Sequence, residues 1–277
     1  MENTHFQAGV VQLDTGADWN KNREQISLYT ARAAELGVQY LQFPETSEYI
    51  GSDFQGFAGM HEGEAKQFFS ELARKYHLYL NCGSITEFRE KSKPSNTSLF
   101  FAPDGSCMAQ YSKMHLFDVN VSDGPSYKES DDVLAGNEIV NVSTPLANFG
   151  LSICYDLRFP ELYRLLTLEG AQVLCVSANF TKPTGIAHWK TLLQARAIEN
   201  TCYVLAAGQC GKKSAFEAYG HSMIIDPWGE VIAEMDDRPG ILTAEIDLKR
   251  IEDVRRQLPC LENRREDIYQ INIRKRD

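Results

Sequence analysis

Along its whole length the chain alternates apolar runs rich in β-branched residues with segments of helical periodicity. In the first third, strand-like runs are predicted at Phe6–Leu13, Val38–Phe43 and Leu78–Ile85. A helix is predicted from Asn22 to Leu36, with Gly37 as its C-terminal stop. Strands interspersed with helices predict sheets covered by helices, so the fold class is α/β. Because no repeat or linker interrupts the pattern, residues 1–277 are expected to form one domain.

The same alternation continues to the end of the chain. The further predicted elements are helix Ala65–His77, two strands around the Pro103–Gly105 turn, strand Leu151–Cys154, helix Pro160–Glu169, strand Val173–Ser177, helix His188–Asn200, strand Tyr203–Gly208, a hairpin over Gly220–Met235 and strand Ile241–Ile246. A long polar stretch from Met114 to Glu138 has no clear period, which is typical of a functional loop.

Charge and cysteine usage limit the function classes. The net charge of −10 argues against nucleic acid or an anionic membrane surface as a partner. The N-terminal residues lack the features of a signal peptide, and no run of about 18 apolar residues occurs. Seven cysteines without a CxxC pair indicate a reduced protein. A cytoplasmic location is therefore expected.

Three chemically reactive side chains follow predicted strands at their C-terminal ends: Glu45, Lys113 and Cys154. In α/β folds, sites assemble at the carboxyl ends of strands because several loops meet there. These three residues, although distant in sequence, are therefore predicted to lie in one pocket.

Each of the three residues also has an ordinary structural interpretation. Cys154 lies between a strand and a helix, where backbone N–H groups would bind an oxyanion and the helix N-terminus would favour a thiolate; the alternative is a buried core cysteine. Glu45 follows the stiff Pro44 and is a candidate base, or an exposed loop glutamate. Lys113 is a candidate oxyanion-binding cation, or a solvated lysine. Taken singly, the structural interpretation is favoured for each.

The segments around these residues, FPETSEY, YSKMHLFD and ICYDLRFPELYR, resemble the three catalytic motifs of the carbon–nitrogen hydrolase (nitrilase) superfamily in order and spacing. The resemblance covers nearly the whole chain and includes TGIAHWKTLLQARAIENTCYV, YGHSMIIDPWGEV and RRQLPCLENRREDIY. The last three segments are most similar to the branch that contains deaminated glutathione amidase, with the omega-amidases next. The resemblance implies an amidase.

The resemblance implies a four-layer α–β–β–α sandwich that pairs through its Cys154-bearing side into a homodimer or a larger homo-oligomer. The C-terminal tail, about residues 248–277, is expected at that interface. A second glutamate is implied after the lysine motif, and Glu129 matches it. The alternatives are a loop glutamate beside Lys128, or a shift of the role to Asp131 or Asp132.

The mechanism that the resemblance implies assigns a role to each of these groups. Glu45 removes the proton from Cys154, whose thiolate attacks a primary carboxamide and forms a thioester. Lys113 and the backbone N–H of Tyr155 bind the oxyanion. Glu129 orients Lys113. The expected substrate is a small amide that carries a carboxylate, such as deaminated glutathione.

Four further residues are candidate substrate contacts. Arg158 would bind a substrate carboxylate, or form a structural ion pair with Glu161 or Asp156. Phe180 and Thr184 belong to the loop over residues 178–184, which follows a strand end. Tyr49 would close one wall of the pocket, or be an ordinary packed tyrosine.

Other functions remain open at this level. The same triad hydrolyses nitriles, N-carbamoyl groups or linear amides such as 2-oxoglutaramate within the superfamily, and a catalytically silent scaffold is the non-enzyme alternative. A cysteine protease would need His115, His188 or His221 as its base, and the resemblance makes these structural. No metal-binding or nucleotide-binding motif is found, so no metal and no cofactor are expected.

Overall fold

Two β-sheets run through the centre of the computed structural model, which describes residues 4–88, 93–119 and 127–273. In sequence order, the strands of the first sheet are β1 (His5–Gln12), β2 (Tyr40–Gln42), β3 (Tyr79–Asn81), β4 (Ile85–Phe88), β5 (Pro94–Phe101), β6 (Cys107–Ser112) and β17 (Gly240–Asp247). In space they follow the order β17-β1-β2-β3-β5-β4, and β6 also pairs with β5. β1, β2 and β3 are parallel, so their carboxyl ends share one edge.

The second sheet has the spatial order β16-β15-β12-β11-β10-β9. Its strands are β9 (Asn141–Ser143), β10 (Asn148–Ile153), β11 (Val173–Ala178), β12 (Tyr203–Gly208), β15 (Met223–Ile225) and β16 (Val231–Glu234). β10, β11 and β12 are parallel. Two small two-stranded sheets complete the set: β7 (Asp118–Val119) with β8 (Tyr127–Lys128), and β13 (Cys210–Lys212) with β14 (Glu217–Tyr219).

Helices cover the outer face of each sheet. The helices are α1 (Trp19–Glu35), α2 (Phe54–Met60), α3 (Glu64–Tyr76), α4 (Pro160–Leu168), α5 (Lys182–Asn200) and α6 (Leu248–Gln257). Ile26 and Phe69 of α1 and α3 pack on Leu41 of the first sheet, whereas Leu166 and Leu193 of α4 and α5 pack with the core of the second. No helix in the described ranges is long and apolar enough to cross a bilayer.

The two sheets pack face to face through an aromatic core. Tyr40 stacks on Phe149 at 4.4 Å and on Phe100 at 5.7 Å between ring centroids. Gln42 adds polar contacts between the sheets, since its Nε2 donates to the Val176 carbonyl oxygen at 3.0 Å. The layers therefore follow the order α–β–β–α, and the predicted α/β four-layer sandwich is confirmed.

Several predicted element boundaries are wrong. α5 begins at Lys182 rather than His188, because proline is tolerated in the first turn of a helix and Pro183 lies there. α1 begins at Trp19, three residues before the predicted start, where the Asp18 side chain accepts from the first free N–H groups. The short helix α2 was not predicted.

The predicted strand Leu78–Ile85 is in fact two strands, β3 and β4, separated by a bend at Gly83. Gly83 has φ +79°, and a side chain there would collide with the Pro44 carbonyl oxygen. Only glycine is therefore accommodated at this close approach. The bend places the beginning of β4 beside the segment that carries Glu45.

Candidate active site

A buried ion cluster lies at the end of β6. The Lys113 side chain is 3% exposed, and its Nζ lies 2.9 Å from Glu45 Oε1 and 2.9 Å from Glu129 Oε2. Burial alone would lower the pKa of Lys113, but the carboxylates of Glu129 and Glu45 outweigh it and raise that pKa well above its usual range. Lys113 is therefore a permanent cation in this site.

Glu45 is held in place by its backbone as well as by its carboxylate. It follows β2 after Pro44, and its carbonyl oxygen accepts from Gln209 Nε2 at 2.9 Å. The next residue, Thr46, has φ +50°, and its N–H donates to Ser84 Oγ. Such left-handed geometry in a non-glycine residue is sparsely populated and occurs at functional sites. The carboxylate also accepts from Asn96 Nδ2 at 2.9 Å.

Glu129 begins a 3-10 helix that spans Glu129–Asp131. Its Oε2 accepts from the Phe117 N–H at 2.6 Å, so the carboxylate is fixed from two sides. Asp131 forms an exposed ion pair with Lys128 instead, and Asp132 is exposed. Of the three acids in this segment, the structure places Glu129 against the lysine.

Cys154 lies at the junction of β10 and a 3-10 helix that spans Cys154–Arg158. Its φ is +47°, another left-handed non-glycine residue. The thiol hydrogen bonds with Glu45, and the sulfur accepts from the Asn179 backbone N–H. The nucleophile candidate and the carboxylate candidate are thus in direct contact, although they come from different sheets.

The Cys154 thiol is neutral in the free protein. Burial raises its pKa well above the usual range, and the Glu45 carboxylate adds to the rise; the Lys113 ammonium and the Asn179 N–H oppose it. The predicted mechanism, in which Glu45 removes the proton from Cys154, starts from such a neutral thiol. A neutral thiol needs a base, and Glu45 is in contact with it.

Asp156 fixes the turn that carries Cys154. This fully buried carboxylate accepts from the Ile153 N–H at 2.9 Å and from the Tyr111 hydroxyl at 2.7 Å. It also accepts from the backbone and the ring of His115. Tyr155 N–H lies in the first turn of the 3-10 helix, where N–H groups have no partner within the helix. This donor is therefore free to bind an oxyanion beside the sulfur.

The three histidines considered as bases have other contacts. His115 is bound to Asp156 and stacks on Phe159 at 3.7 Å between ring centroids. His188 is exposed and lies near Arg158, whereas His221 stacks on Tyr219. The group that hydrogen bonds with the Cys154 thiol is a carboxylate, which is not the arrangement of a cysteine protease.

Arg158 lies over aromatic rings rather than against an acid. Its guanidinium carbon is 5.7 Å from the Tyr155 ring centroid and 5.4 Å from that of Phe180. The alternative of an ion pair with Asp156 or Glu161 is not formed, and within the described ranges no carboxylate lies at ion-pair distance from Arg158. Its Nη1 hydrogen bonds with His188 Nδ1 at 3.2 Å, so the contacts of this half-buried cation are aromatic rings and a histidine.

The remaining predicted contacts are placed as follows. Phe180 is buried against Trp189 at 4.8 Å between ring centroids, close to Arg158. Thr184 is half-buried, and its hydroxyl hydrogen bonds with Thr181. Tyr49 stacks on Phe57 at 4.2 Å as a packed side chain. Substrate contact by these residues stays a prediction.

Glu48, three residues after Glu45, lies in a different environment. Its Oε1 accepts from the Thr86 N–H at 2.6 Å, and burial raises its pKa from 4.5 to about 7. It borders a cavity of about 170 Å³ that is also lined by Trp19 and Phe57 of the helical layer. None of the four central side chains (Glu45, Lys113, Glu129, Cys154) lines this cavity.

Glu48 should make the protein less stable as the pH rises. Between pH 4.5 and about 7 the unfolded chain has already lost this proton while the folded chain keeps it, so deprotonation favours unfolding. At about 1.4 kcal/mol per pH unit, the full loss is on the order of 3 kcal/mol. Glu48→Gln is therefore expected to be more stable than the wild type at pH 8 and similar at pH 4.5. Urea unfolding at both pH values measures this; an unchanged pH slope in Glu48→Gln would exclude it.

No group of three or more His, Cys, Asp or Glu side chains in residues 4–88, 93–119 and 127–273 is arranged to hold a metal ion. The polar groups of the site are instead a lysine, two glutamates and a thiol, in mutual contact. This set is able to pass a proton between the thiol and a carboxylate beside a fixed positive charge.

Comparison with known proteins agrees with this architecture. The carbon-nitrogen hydrolase family matches residues 7–256. A deaminated glutathione amidase from Synechocystis is 40% identical over 94% of this chain and 98% of its own length. A human omega-amidase is 34% identical over 98% of this chain and 99% of its own. The crystal structure of the Caenorhabditis elegans NitFhit protein superposes with a TM-score of 0.93 at 38% identity, covering 99% of this chain and 68% of that one.

The chain belongs to the carbon–nitrogen hydrolase family. It is a hydrolase that acts on carbon–nitrogen bonds other than peptide bonds. The predicted resemblance to the branch of deaminated glutathione amidases and omega-amidases is confirmed.

Proposed function

We propose that this hydrolase is an amidase that converts a small primary amide bearing a carboxylate into the acid and ammonia. The observation that carries the proposal is the contact of the Cys154 thiol with Glu45 beside the buried Lys113 ammonium. Deaminated glutathione is the first candidate substrate, because that name belongs to the relative of 40% identity. 2-Oxoglutaramate, an omega-amidase substrate, is the second.

The first half of the reaction transfers the acyl group to the sulfur. Glu45 takes the thiol proton, and the sulfur forms a bond to the amide carbon. The negative charge on the oxygen is held by the Lys113 ammonium and the Tyr155 N–H. Glu45 then gives its proton to the nitrogen, the carbon–nitrogen bond breaks and ammonia leaves.

The second half of the reaction releases the acid. Glu45, again a carboxylate, removes a proton from a water molecule, and the hydroxide attacks the thioester carbon. The carbon–sulfur bond breaks and the thiol recovers its proton. Glu129 keeps Lys113 in place throughout through the 2.9 Å contact. Because each of these roles depends on the charge or the contacts of one group, substitution of the corresponding side chain tests it.

Ammonia release across a substrate panel tests the proposal. The panel contains deaminated glutathione, 2-oxoglutaramate, a simple nitrile, an N-carbamoyl amino acid and an unstructured peptide. The largest kcat/KM is expected for one of the two carboxylate-bearing amides. A larger kcat/KM for the nitrile or for the N-carbamoyl compound would show that the protein is a nitrilase or an N-carbamoyl hydrolase instead of an amidase. If no compound of the panel is turned over, a catalytically silent scaffold is favoured. Cleavage of the peptide would favour a protease.

Arg158 is expected to select for the substrate carboxylate. Arg158→Ala should lower kcat/KM for the carboxylate-bearing amide roughly 10- to 100-fold, the range of a lost charge-assisted hydrogen bond. Its effect should be mostly on KM, because the contact is remote from the reacting carbon. The control is an uncharged amide of the same length, whose kcat/KM should stay near the wild-type value. Equal losses with both substrates would show that Arg158 acts on the fold instead.

We further propose that residues 1–277 form one domain and that two copies associate through the half of the molecule that carries Cys154, with the tail over residues 248–277 at the interface. Exposed apolar side chains occur on this half and along the tail: Leu168, Ile198, Trp228, Leu258, Ile268 and Tyr269. Residues 274–277 of the tail lie outside the described ranges. Light scattering should give a dimer or a larger oligomer, and truncation after Gln257 should weaken it; a monomeric wild type would exclude the interface.

A cytoplasmic location without a nucleic-acid or membrane partner is proposed on two grounds. The net charge is −10. All seven cysteines lie in the described ranges and are free, including the exposed Cys107 and Cys260. A reducing compartment keeps such thiols intact. Subcellular fractionation tests this location, and recovery in a secreted fraction would exclude it.

A further inference from the structure

We propose that Asn96 is a positioning residue for the reaction, which holds one oxygen of the Glu45 carboxylate and leaves the other oxygen for the Cys154 thiol. The inference rests on the proposed function, since it assigns Glu45 the role of base. Nothing in the sequence around Asn96 in SNTSLFF indicates such a role, because the residue lies within a strand rather than at its end.

Two donors converge on the same carboxylate oxygen. Asn96 Nδ2 lies 2.9 Å from Glu45 Oε1, and Lys113 Nζ lies 2.9 Å from that same atom. This oxygen is therefore occupied by two N–H donors. The Cys154 thiol hydrogen bonds with the same carboxylate, and under this proposal it does so at Oε2, the oxygen that neither of these two donors occupies. A carboxylate bound at one oxygen only by the flexible lysine would be free to rotate, and Asn96 removes that freedom.

Asn96 also holds the lysine through its backbone. The Lys113 N–H donates to the Asn96 carbonyl oxygen at 2.9 Å. Asn96 is 7% exposed and lies on β5, where it pairs with Thr86 of β4. One strand residue thus fixes the spacing between the carboxylate and the ammonium.

The orientation of the Asn96 amide is chemically defined. Its Oδ1 is buried, and no described residue donates a hydrogen bond to it. A flipped amide would place Oδ1 against the Glu45 oxygen, so Nδ2 is the atom that faces the carboxylate.

Besides the Asn96 amide, the groups that face the Glu45 carboxylate are the Lys113 ammonium, the Glu129 carboxylate, the Cys154 thiol and, at longer range, the Tyr127 hydroxyl. All of them remain when Asn96 is changed. Loss of the Asn96 donor should therefore slow proton transfer from the Cys154 thiol, because the carboxylate is no longer held in position beside the sulfur.

The test uses Asn96→Ala and Asn96→Asp. The aspartate has the shape of asparagine but offers an oxygen where Nδ2 was. If Asn96 acts as a donor, Asn96→Asp should be the more damaged variant; if it acts only by packing, Asn96→Ala should be. We expect kcat for Asn96→Ala to fall roughly 10- to 100-fold, as for a lost hydrogen bond to a charged group, with KM nearly unchanged.

A matched control is available in Asn200, which is fully buried; its Nδ2 bonds to the Arg196 carbonyl oxygen, and no described residue donates to its Oδ1. It lies at the far end of α5, so Asn200→Ala should lose stability without this fall in kcat.

A second readout keeps this test separate from the choice of substrate. The rate at which iodoacetamide alkylates Cys154 at neutral pH, followed by peptide mass spectrometry, depends on the same base and needs no amide. Asn96→Ala should lower this rate, and Asn200→Ala should not. An unchanged alkylation rate in a folded Asn96→Ala or Asn96→Asp overturns the role of Asn96. Absence of amide turnover in the wild type, with the slower alkylation of Asn96→Ala present, overturns only the proposed substrate class.

Discussion

Cys154→Ala is expected to lose turnover by on the order of 10⁴-fold or more, because no thioester forms without the sulfur. The fold should be unaffected, since the change removes one atom from a side chain at the end of β10 and leaves the Asp156 contacts of the turn in place. Ammonia release and the Tm of the same preparation measure both effects. With the wild type, denaturation during turnover should trap an acyl group on Cys154, detectable by peptide mass spectrometry.

The control for this experiment is Cys107→Ala, which removes an exposed thiol at the first residue of β6, the end of the strand remote from Lys113. It should retain the wild-type kcat/KM. Substantial ammonia release by a folded Cys154→Ala, or an acyl group found on another cysteine, would refute the proposed nucleophile.

Lys113→Met is expected to remove activity and to lower the free energy of unfolding by about 3–5 kcal/mol at pH 8, the usual cost of leaving buried charges unpaired. Lys113 Nζ is the cation in contact with both Glu45 and Glu129, all three of which are buried. Without it, the two buried carboxylates face each other with no cation between them. Urea unfolding at pH 8 gives the loss of stability, and ammonia release gives the loss of activity.

Lys182→Met provides the matched comparison, since Lys182 pairs with Glu217 on the surface, where both side chains are nearly half exposed. Such a pair is worth about 1 kcal/mol or less. Equal destabilisation by the two substitutions would mean that the buried Lys113 ion pairs contribute no more to stability than the surface ion pair of Lys182.

Much of the fold was predictable because apolar periodicity reports burial directly. The parallel strands β11 and β12 are almost entirely apolar, as expected for strands buried on both faces. The errors lie where tertiary contacts override local preference. Gly83 bends a predicted strand because of its approach to Pro44, and the short helix α2 contains two glycines in seven residues. A local pattern carries no information about either.

The candidate site was predictable where a chemically reactive side chain follows the C-terminal end of a strand. Glu45, Lys113 and Cys154 were located this way, and the structure brings them into contact; their catalytic roles stay predictions. Asn96 and Asp156 were missed as organising groups. Both are short polar residues whose partners lie far away in sequence, so spacing gives no signal for them.

The thiol and its carboxylate partner come from different sheets: Glu45 follows β2, and Cys154 follows β10. Neither half of the sandwich holds a complete set of reacting groups by itself. Under the proposed mechanism, a partly folded chain with only one sheet formed is chemically inert. The complete active site exists only after the two sheets have packed together, so catalytic activity reports that folding is complete.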